Sequence, residues 1–279
     1  MKIKKVGILQ GVHRMAIKPS ILQAAQQLRD AGCTVLSDRE EIAPELVSPR
    51  KDVIASSDAL IVCGGDGSIL NVARYAAVYG VPVLGANFGQ LGFLSEVGAN
   101  GLSDAIPHLL EGDYTIEERM MLCAKWQDQE ITALNDIVVR RETALDVVRA
   151  DVHVDGLLLD HYVADGILVS TPTGASAYAL SCGGPIVHPS LKCMTMTAIC
   201  PHSLRARPVM LSTDQEIRVT NAPRSLPAII CADGQDLIRM TCSDPVIIKK
   251  APVEAQLIRF GSMDFFSMVH DKLVDRTKR

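Results

Sequence analysis

The sequence predicts an N-terminal Rossmann-like α/β domain followed by a C-terminal all-β, sandwich-like domain. Through the first hundred residues, short apolar runs alternate with segments of helical periodicity, which is typical of a parallel sheet covered by helices on both faces. Near residue 115 the helical periods fade and β-branched runs separated by turn residues take over. The tail regains helical character, and we expect it to return to the first domain. The predicted divisions are residues 1–117, 118–250 and 251–279.

In the first domain, apolar runs predict the strands and helical spacing predicts the helices. The first helix places its apolar residues three or four positions apart and is followed by Gly32, a suitable C-cap. Pro107 disfavours a regular helix near residue 107. The predicted strands are Lys5–Gln10, Cys33–Leu36, Ala59–Cys63 and Val81–Gly85, and the predicted helices are Ser20–Ala31, Ser68–Tyr79 and Ser103–Glu111.

In the second domain, a β-branched run over Val147–Val154 and the turn residues Asp155-Gly156 predict a hairpin. Turn dipeptides separate several further strand-like runs. These are Ile137–Val139, Ile167–Ser170, Met194–Ile199, Glu216–Thr220, Ile229–Cys231 and Val246–Ile248. Phe265–Leu273 predicts a helix in the tail.

Composition excludes several classes of function. The chain has 279 residues, 48% of them hydrophobic, which is enough for a sizeable core. A net charge of −4 gives no support for nucleic-acid binding. No run of 18 apolar residues predicts a membrane span, and the apolar stretch after Lys5 is too short for a secretory signal. The eight cysteines form no Cys-x-x-Cys pair, so we expect buried free thiols in a reducing cytoplasm.

The run Gly64-Gly-Asp-Gly-Ser68 lies between a predicted buried strand and a predicted helix. The first N–H groups of a helix lack partners within it and attract anions, and glycines let the backbone approach a phosphate. A carboxylate should repel phosphate, so Asp66 requires a role of its own. Two roles fit: it accepts a proton from a hydroxyl, or it holds a cation that travels with phosphate.

A second dense stretch runs from Asp165 to Ser181. A predicted strand leads into the turn Thr171–Gly174 and then into a segment of small residues that predicts the start of a helix. Five hydroxyl side chains lie within twelve residues, Tyr178 can stack on a base or donate a hydrogen bond, and Asp165 can accept one. The turn alone is also common in loops without a ligand.

Two shorter stretches carry amides and carboxylates. Asn87 lies in the glycine-lined run Gly85–Leu94, and Asn135-Asp136 precedes a predicted strand. Without context, an Asn-Asp pair is typical of a turn.

Together, these four stretches resemble the NAD kinase family. The corresponding family patterns are Gly-Gly-Asp-Gly, Asn-x-Gly-x-Leu-Gly-Phe-Leu, Asn-Glu/Asp, and Thr-Pro-Thr-Gly-x-Thr-Ala-Tyr leading to Gly-Gly-Pro. The chain matches them, in this order, at Gly64–Gly67, Asn87–Leu94, Asn135-Asp136, Thr171–Tyr178 and Gly183–Pro185. Glu118–Leu122 is similar to the start of the family's second domain. The first pattern is shared with diacylglycerol kinases and is similar to that of phosphofructokinases.

The resemblance implies transfer of the γ-phosphoryl group of ATP to the 2′-hydroxyl of the adenosine ribose of NAD, which gives NADP and ADP. It implies an active site between the two domains, Mg²⁺ that arrives with ATP, no metal held by the protein alone, no membrane or nucleic-acid partner, and a homodimer or homotetramer. Asp66 resembles the family's proposed general base. The implied phosphate and ATP contacts are Gly64, Gly65, Gly67 and Ser68. The implied NAD contacts are Asp66, Gly67, Asn87, Asn135, Asp136, Asp165, Thr173, Ser176, Ala177, Tyr178, Ala179, Leu180, Ser181 and Gln235.

The chain departs from the family pattern in places. Ser176 stands where Thr is usual, and no ligand role carries over to Asp146 or Val163. Two alternatives stay open: a kinase of a lipid or sugar alcohol that shares the first pattern, and a non-catalytic NAD or NADP sensor. A Rossmann dehydrogenase is disfavoured because Gly11–Met15 lacks the Gly-x-Gly-x-x-Gly turn.

Overall fold

The computed structural model describes residues 3–11, 17–89, 92–143, 146–222, 227–241, 244–261 and 265–275. It divides into two compact units, which we call the first unit (Met1–Glu118 with Ala255–Arg279) and the second unit (Arg119–Glu254). Of the segments discussed above, Gln90, Leu91, Cys242 and most of Gly11–Met15 lie outside the described residues.

The first unit alternates strands with helices. Its strands are β1 (Lys5–Gln10), β2 (Thr34–Leu36), β3 (Ala59–Cys63), β4 (Val83–Asn87) and β5 (Val97–Gly98). Its helices up to residue 111 are α1 (Pro19–Asp30), α2 (Arg50–Ser56), α3 (Asp66–Ala77) and α4 (Leu102–Glu111).

The sheet of the first unit is parallel. Strands β2, β1, β3 and β4 lie side by side in that order, and β5 pairs with β4. One face packs on α1 and α4 through an apolar cluster that includes Ile8 and Ile61. On the other face, helices α2 and α3 approach the sheet so closely that a Cβ at Gly7 would lie 2.9 Å from Val53 of α2 and one at Gly85 would lie 2.7 Å from Ile69 of α3. Helices therefore cover both faces, as predicted, and the glycine-rich turn follows the carboxyl end of β3, where ligands collect in such sheets.

The second unit is formed almost entirely of strands. They are β6 (Thr115–Trp126), β7 (Gln129–Ala133), β8 (Asp136–Arg141), β9 (Val148–Val154), β10 (Leu157–Ala164), β11 (Gly166–Ser170), β12 (Cys193–Ile199), β13 (Val209–Ser212), β14 (Ile217–Asn221), β15 (Ala228–Ala232), β16 (Asp236–Met240) and β17 (Val246–Arg259). A 3₁₀ turn (Gly174–Ser176) and a short helix α5 (Tyr178–Ser181) interrupt them. The first residues of β6 and the last of β17 belong to the first unit.

Two antiparallel layers form the second unit. One has the order β13-β12-β11-β8-β15-β16, and the other contains β10-β9-β14-β17. Inward-facing residues of both layers, such as Val139 and Val169 from one and Val152 and Val219 from the other, share one buried core. This arrangement confirms the predicted sandwich-like β domain.

The tail returns to the first unit, as predicted. Leu257 in β17 pairs in parallel with Val83 in β4, and Ile258 joins the core of the first unit. Helix α6 (Phe265–Asp275) follows, and the Phe265 ring lies 6.2 Å from that of Phe93. No helix in the described part of the chain has the length and apolarity to cross a membrane.

The predicted thiols are only partly buried. Cys33, Cys63 and Cys231 are buried and free, as expected, and Cys123, Cys182 and Cys193 are half-buried. The expectation is wrong for Cys200, which is exposed because it follows directly on the end of β12 in a left-handed backbone conformation (φ 46°).

Candidate active site

Asp66 is the first residue of helix α3 rather than part of the preceding turn, so the predicted start at Ser68 was two residues late. Gly65 is the N-cap in extended conformation, and its carbonyl accepts hydrogen bonds from the N–H groups of Ser68 and Ile69. A Cβ at Gly65 or Gly67 would meet no atom within 4 Å. Open space at these two glycines leaves room for a ligand beside the helix N-terminus, whose partial positive charge favours an anion.

The Asp66 carboxylate is held by the loop that follows β4. Its Oδ2 accepts a hydrogen bond from the N–H of Phe93 at 2.8 Å, and its Oδ1 accepts one from the N–H of Leu94 at 3.4 Å. A Cβ at Gly92 would come within 1.8 Å of Oδ1. The loop is closed in turn by buried Ser95, whose Oγ accepts from the N–H of Gly92 at 2.8 Å. With the carboxylate in this position only glycine fits at residue 92, and these contacts hold the half-buried carboxylate against the loop.

Asn87, the last residue of β4, is buried. Its side-chain oxygen accepts a hydrogen bond from the N–H of Gly89 at 2.8 Å and so closes the turn at the end of the strand. The first unit therefore brings together the glycine-rich turn, Asp66 and this loop.

In the second unit, Leu134 and Asn135 are held by the run that follows β11. Thr171 donates through Oγ1 to the carbonyl of Leu134 at 2.6 Å and through its N–H to the carbonyl of Asn135 at 2.9 Å. A Cβ at Gly174 would lie 2.2 Å from the Asn135 carbonyl oxygen. The glycine of the Thr-Pro-Thr-Gly turn is therefore required for backbone contact between the two predicted stretches.

Asp233 completes this arrangement from the turn after β15. Its carboxylate accepts hydrogen bonds from the N–H groups of Leu134 (2.9 Å), Asn135 (2.7 Å) and Asp136 (3.2 Å). Its own N–H donates to the Asp136 carbonyl at 3.0 Å. Asp233 adopts a left-handed conformation (φ 51°), which Asp tolerates better than most residues.

Asp136 is buried, with 5% of the residue exposed. Burial, together with the nearby charge of Asp233, raises the pKa of Asp136 to about 7. The carboxyl group therefore carries a proton for part of the time near neutral pH.

The hydroxyl-rich run folds into the 3₁₀ turn and α5. Thr173 is buried and accepts a hydrogen bond through Oγ1 from Nη1 of Arg119 at 3.2 Å, while Ser176 donates to the Thr173 carbonyl at 3.3 Å. Tyr178 is 45% exposed. Partial burial and the nearby Cys182, Cys200 and Asp165 raise its pKa above the ordinary value of a phenol, so the hydroxyl is a neutral hydrogen-bond donor.

Asp165, between β10 and β11, forms an ion pair with Arg141 at 3.0 Å. Arg141 also donates to the carbonyl of Asp146 at 2.9 Å. Gln235 is exposed in the turn that Asp233 begins, and its N–H donates to the Ala232 carbonyl at 3.0 Å.

Two family models match this chain. The ATP-NAD kinase N-terminal domain matches residues 13–114, and the ATP-NAD kinase C-terminal domain matches residues 134–260. The chain belongs to the NAD kinase family. It is 40% identical over 272 residues to the NAD kinase of Heliobacterium modesticaldum, with 92% of this chain and 95% of the relative covered. It is 41% identical to that of Thermoanaerobacter pseudethanolicus, with coverage of 98% and 100%.

Solved NAD kinase structures share the fold. Yeast NADH kinase complexed with NADH superposes with a TM-score of 0.83 at 24% identity, covering 98% of this chain and 88% of that one. An NAD kinase from Archaeoglobus fulgidus in complex with ATP gives a TM-score of 0.77 at 22% identity, covering 95% and 98%. At these identities the likeness establishes the fold.

Sequence reasoning did not single out three residues that organise these NAD kinase stretches: Asp233, Arg119 and Gly92. Asp233 is followed by Gly234, and an Asp-Gly pair is itself a turn signal from which the sequence could have indicated this residue. Arg119 lies in a strand and contacts Thr173 across 54 residues of sequence, a pairing that no local pattern predicts.

Proposed function

We propose that this protein is an NAD kinase that transfers the γ-phosphoryl group of ATP to the 2′-hydroxyl of the adenosine ribose of NAD, giving NADP and ADP. The observation that carries the proposal is a carboxylate, Asp66, fixed at the open N-terminus of helix α3 by two backbone N–H groups. Membership of the NAD kinase family supports the same reaction.

Asp66 is the general base. A carboxylate has about four acceptor positions, and Phe93 and Leu94 use two of them. The remaining lone pairs accept the proton of the 2′-hydroxyl as its oxygen forms a bond to the γ-phosphorus, while the bond from that phosphorus to the β,γ-bridging oxygen breaks and ADP leaves. Catalysis of phosphoryl transfer depends mainly on positioning the reacting groups and neutralising the phosphate charge, so a base held in one orientation contributes directly to the rate.

The glycine-rich turn binds the phosphates. Gly64, Gly65, Gly67 and Ser68 surround the start of α3, where backbone N–H groups without helical partners complement negative charge. Magnesium would arrive bound to ATP as part of the substrate, and it would supply positive charge to neutralise the phosphates. Among the described residues, no group of three or more His, Cys, Asp or Glu side chains is placed to hold a metal ion.

The second unit binds the NAD adenosine. Asn135, Asp136 and Asp165 offer amide and carboxylate groups to hydroxyl and amino groups, and exposed Tyr178 offers a ring and a neutral hydroxyl. Asn87 of the first unit and Gln235 add polar contacts. The remaining proposed contacts line the short helical run at Thr173, Ser176, Ala177, Ala179, Leu180 and Ser181.

The two units correspond to the two catalytic domains, with boundaries near residues 117 and 250. The protein works in the cytoplasm, and it does so as a homodimer or homotetramer. Exposed leucines at the start of β10 support self-association, because Leu157 is 76% exposed and Leu158 is 49% exposed. Within the described part of the chain, β10 is the edge strand of its layer and pairs with β9 on one side only.

The decisive experiment incubates purified protein with ATP, Mg²⁺ and NAD and measures NADP with an NADP-specific dehydrogenase. NADP formed in proportion to enzyme supports the proposal. Sugar alcohols and a diacylglycerol, each supplied in place of NAD with release of ADP as the readout, test the alternative kinase substrates. Binding of NAD without any consumption of ATP would instead identify a nucleotide sensor.

A further inference from the structure

Arg259 is a buried cation to which the proposed reaction assigns no role. It is the last residue of β17 and only 4% exposed. Charged side chains are buried at high cost unless every hydrogen-bonding group finds a partner, so a buried arginine has a specific set of contacts.

Those contacts converge on the loop that holds Asp66. The Arg259 Nη2 donates to the carbonyl of Phe93 at 3.3 Å, and its Nη1 donates to the carbonyl of Ser95 at 3.1 Å. Ion pairs with Glu96 (Nη1, 3.1 Å) and Glu117 (Nε, 2.7 Å) balance the charge. The N–H of the following residue, Phe260, also donates to Glu96 at 2.9 Å.

Arg259 and Asp66 lie at opposite ends of one peptide group. The carbonyl of Phe93 accepts from Arg259, and the N–H of the same peptide, contributed by Leu94, donates to Asp66. A cation on the carbonyl polarises that peptide and strengthens the N–H as a donor, since linked hydrogen bonds reinforce one another. The fork of the guanidinium also fixes the loop in position from the side opposite the carboxylate.

We infer that Arg259 is a positioning residue for Asp66, which it holds in its reactive orientation through the Phe93–Leu94 peptide. The inference adds a residue to the proposed site, and it rests on the proposed function because it takes Asp66 as the general base. The C-terminal strand thereby takes part in the reaction without touching a nucleotide.

The test compares Arg259→Lys with the wild-type protein. Lysine keeps the positive charge but offers a compact ammonium in place of the planar fork, so it cannot reach the two carbonyls and both carboxylates together. We expect kcat to fall at least ~10-fold with the KM for NAD within about twofold, because a displaced base affects the chemical step rather than binding. Hydrogen exchange at the amides of residues 92–96 should accelerate at the same time.

Leu28→Ala provides the matched control. Leu28 is buried in helix α1 within the same unit and is not part of the proposed site. This substitution should lower the melting temperature while kcat per folded molecule stays unchanged, which separates loss of stability from loss of position.

Glu117→Gln is the second test variant, since Glu117 is about one-third exposed and its replacement leaves Glu96 to balance the charge of Arg259. We expect a kcat loss of about twofold or more and faster exchange in the same loop.

Wild-type kcat and unchanged exchange at residues 92–96 in either folded variant would overturn the inference. Absence of NADP formation by the wild-type protein would overturn the proposed function instead. The exchange measurement still reports on the link between Arg259 and the loop in that case, because it requires no turnover.

Discussion

Gly92 lies so close to Asp66 that a Cβ atom at residue 92 would come within 1.8 Å of a carboxylate oxygen. The two residues are 26 positions apart, and each belongs to a different glycine-rich stretch of the sequence. Their contact explains why the loop after β4 carries a glycine there: the backbone must approach the carboxylate for the N–H groups of Phe93 and Leu94 to reach it.

Gly92→Ala should therefore impair turnover. The added methyl group must displace either the carboxylate or the loop, and an error of about 1 Å in a reacting group can cost ~100-fold in rate. We expect kcat to fall at least ~10-fold in the NADP assay. Gly98→Ala is the control, because a Cβ at Gly98 meets no atom within 4 Å. Equal kcat values for the two variants would contradict the steric argument.

Asp66→Asn tests the proton transfer itself. The amide keeps the size of the side chain but cannot accept a proton at neutral pH, and a positioned base contributes about 10²–10⁴-fold. We expect kcat to fall at least ~100-fold while the Kd for NAD, measured by calorimetry, stays within about threefold. Normal turnover in this variant would remove the base role from Asp66.

Asp233→Ala should weaken NAD binding more than chemistry. The carboxylate accepts hydrogen bonds from three consecutive backbone N–H groups, which fix the conformation of the backbone at Asn135 and Asp136. Removing the carboxylate leaves those donors without this acceptor, which lowers the stability of the site by about 1–3 kcal/mol. We expect the KM for NAD to rise at least ~10-fold with a smaller change in kcat. Asp233→Asn retains an acceptor oxygen and tolerates the left-handed conformation, so its KM for NAD should lie between those of the wild type and Asp233→Ala. A larger effect on kcat than on KM would assign Asp233 to the chemical step instead.

The stability of the protein should fall as pH rises towards and through neutrality because of Asp136. Its pKa is raised from 3.8 to about 7, so between these values the folded protein binds more protons than the unfolded chain, and the free energy of unfolding decreases with pH. Asp136→Asn removes this titration. We expect the variant to exceed the wild type in free energy of unfolding by at least about 1 kcal/mol at pH 8, and by less at pH 5, in urea titrations. A wild type whose pH dependence matches that of the variant would show that Asp136 ionises normally.

Local patterns predicted much of the fold correctly. β1 and β3 lie where their apolar runs placed them, and the hairpin turn at Asp155-Gly156 joins β9 to β10. These features are set by residues that are close together in the sequence. Short apolar runs form buried strands, and Asp and Gly adopt the left-handed conformations that a tight turn requires. Helix α2 was not predicted, because seven residues are too few to display a helical period.

By itself, the sequence determined the class of fold, the family and the stretches that carry the candidate site, because backbone geometry at glycine turns and apolar periodicity are local properties. Only the tertiary structure decided what holds those stretches in place. The pairs Asp66–Phe93, Asp233–Asn135 and Arg259–Phe93 are 27, 98 and 166 residues apart. Such contacts form only when whole helices, strands and loops pack together. That packing supplies the hydrogen-bond partners that a carboxylate or guanidinium group requires once it is buried.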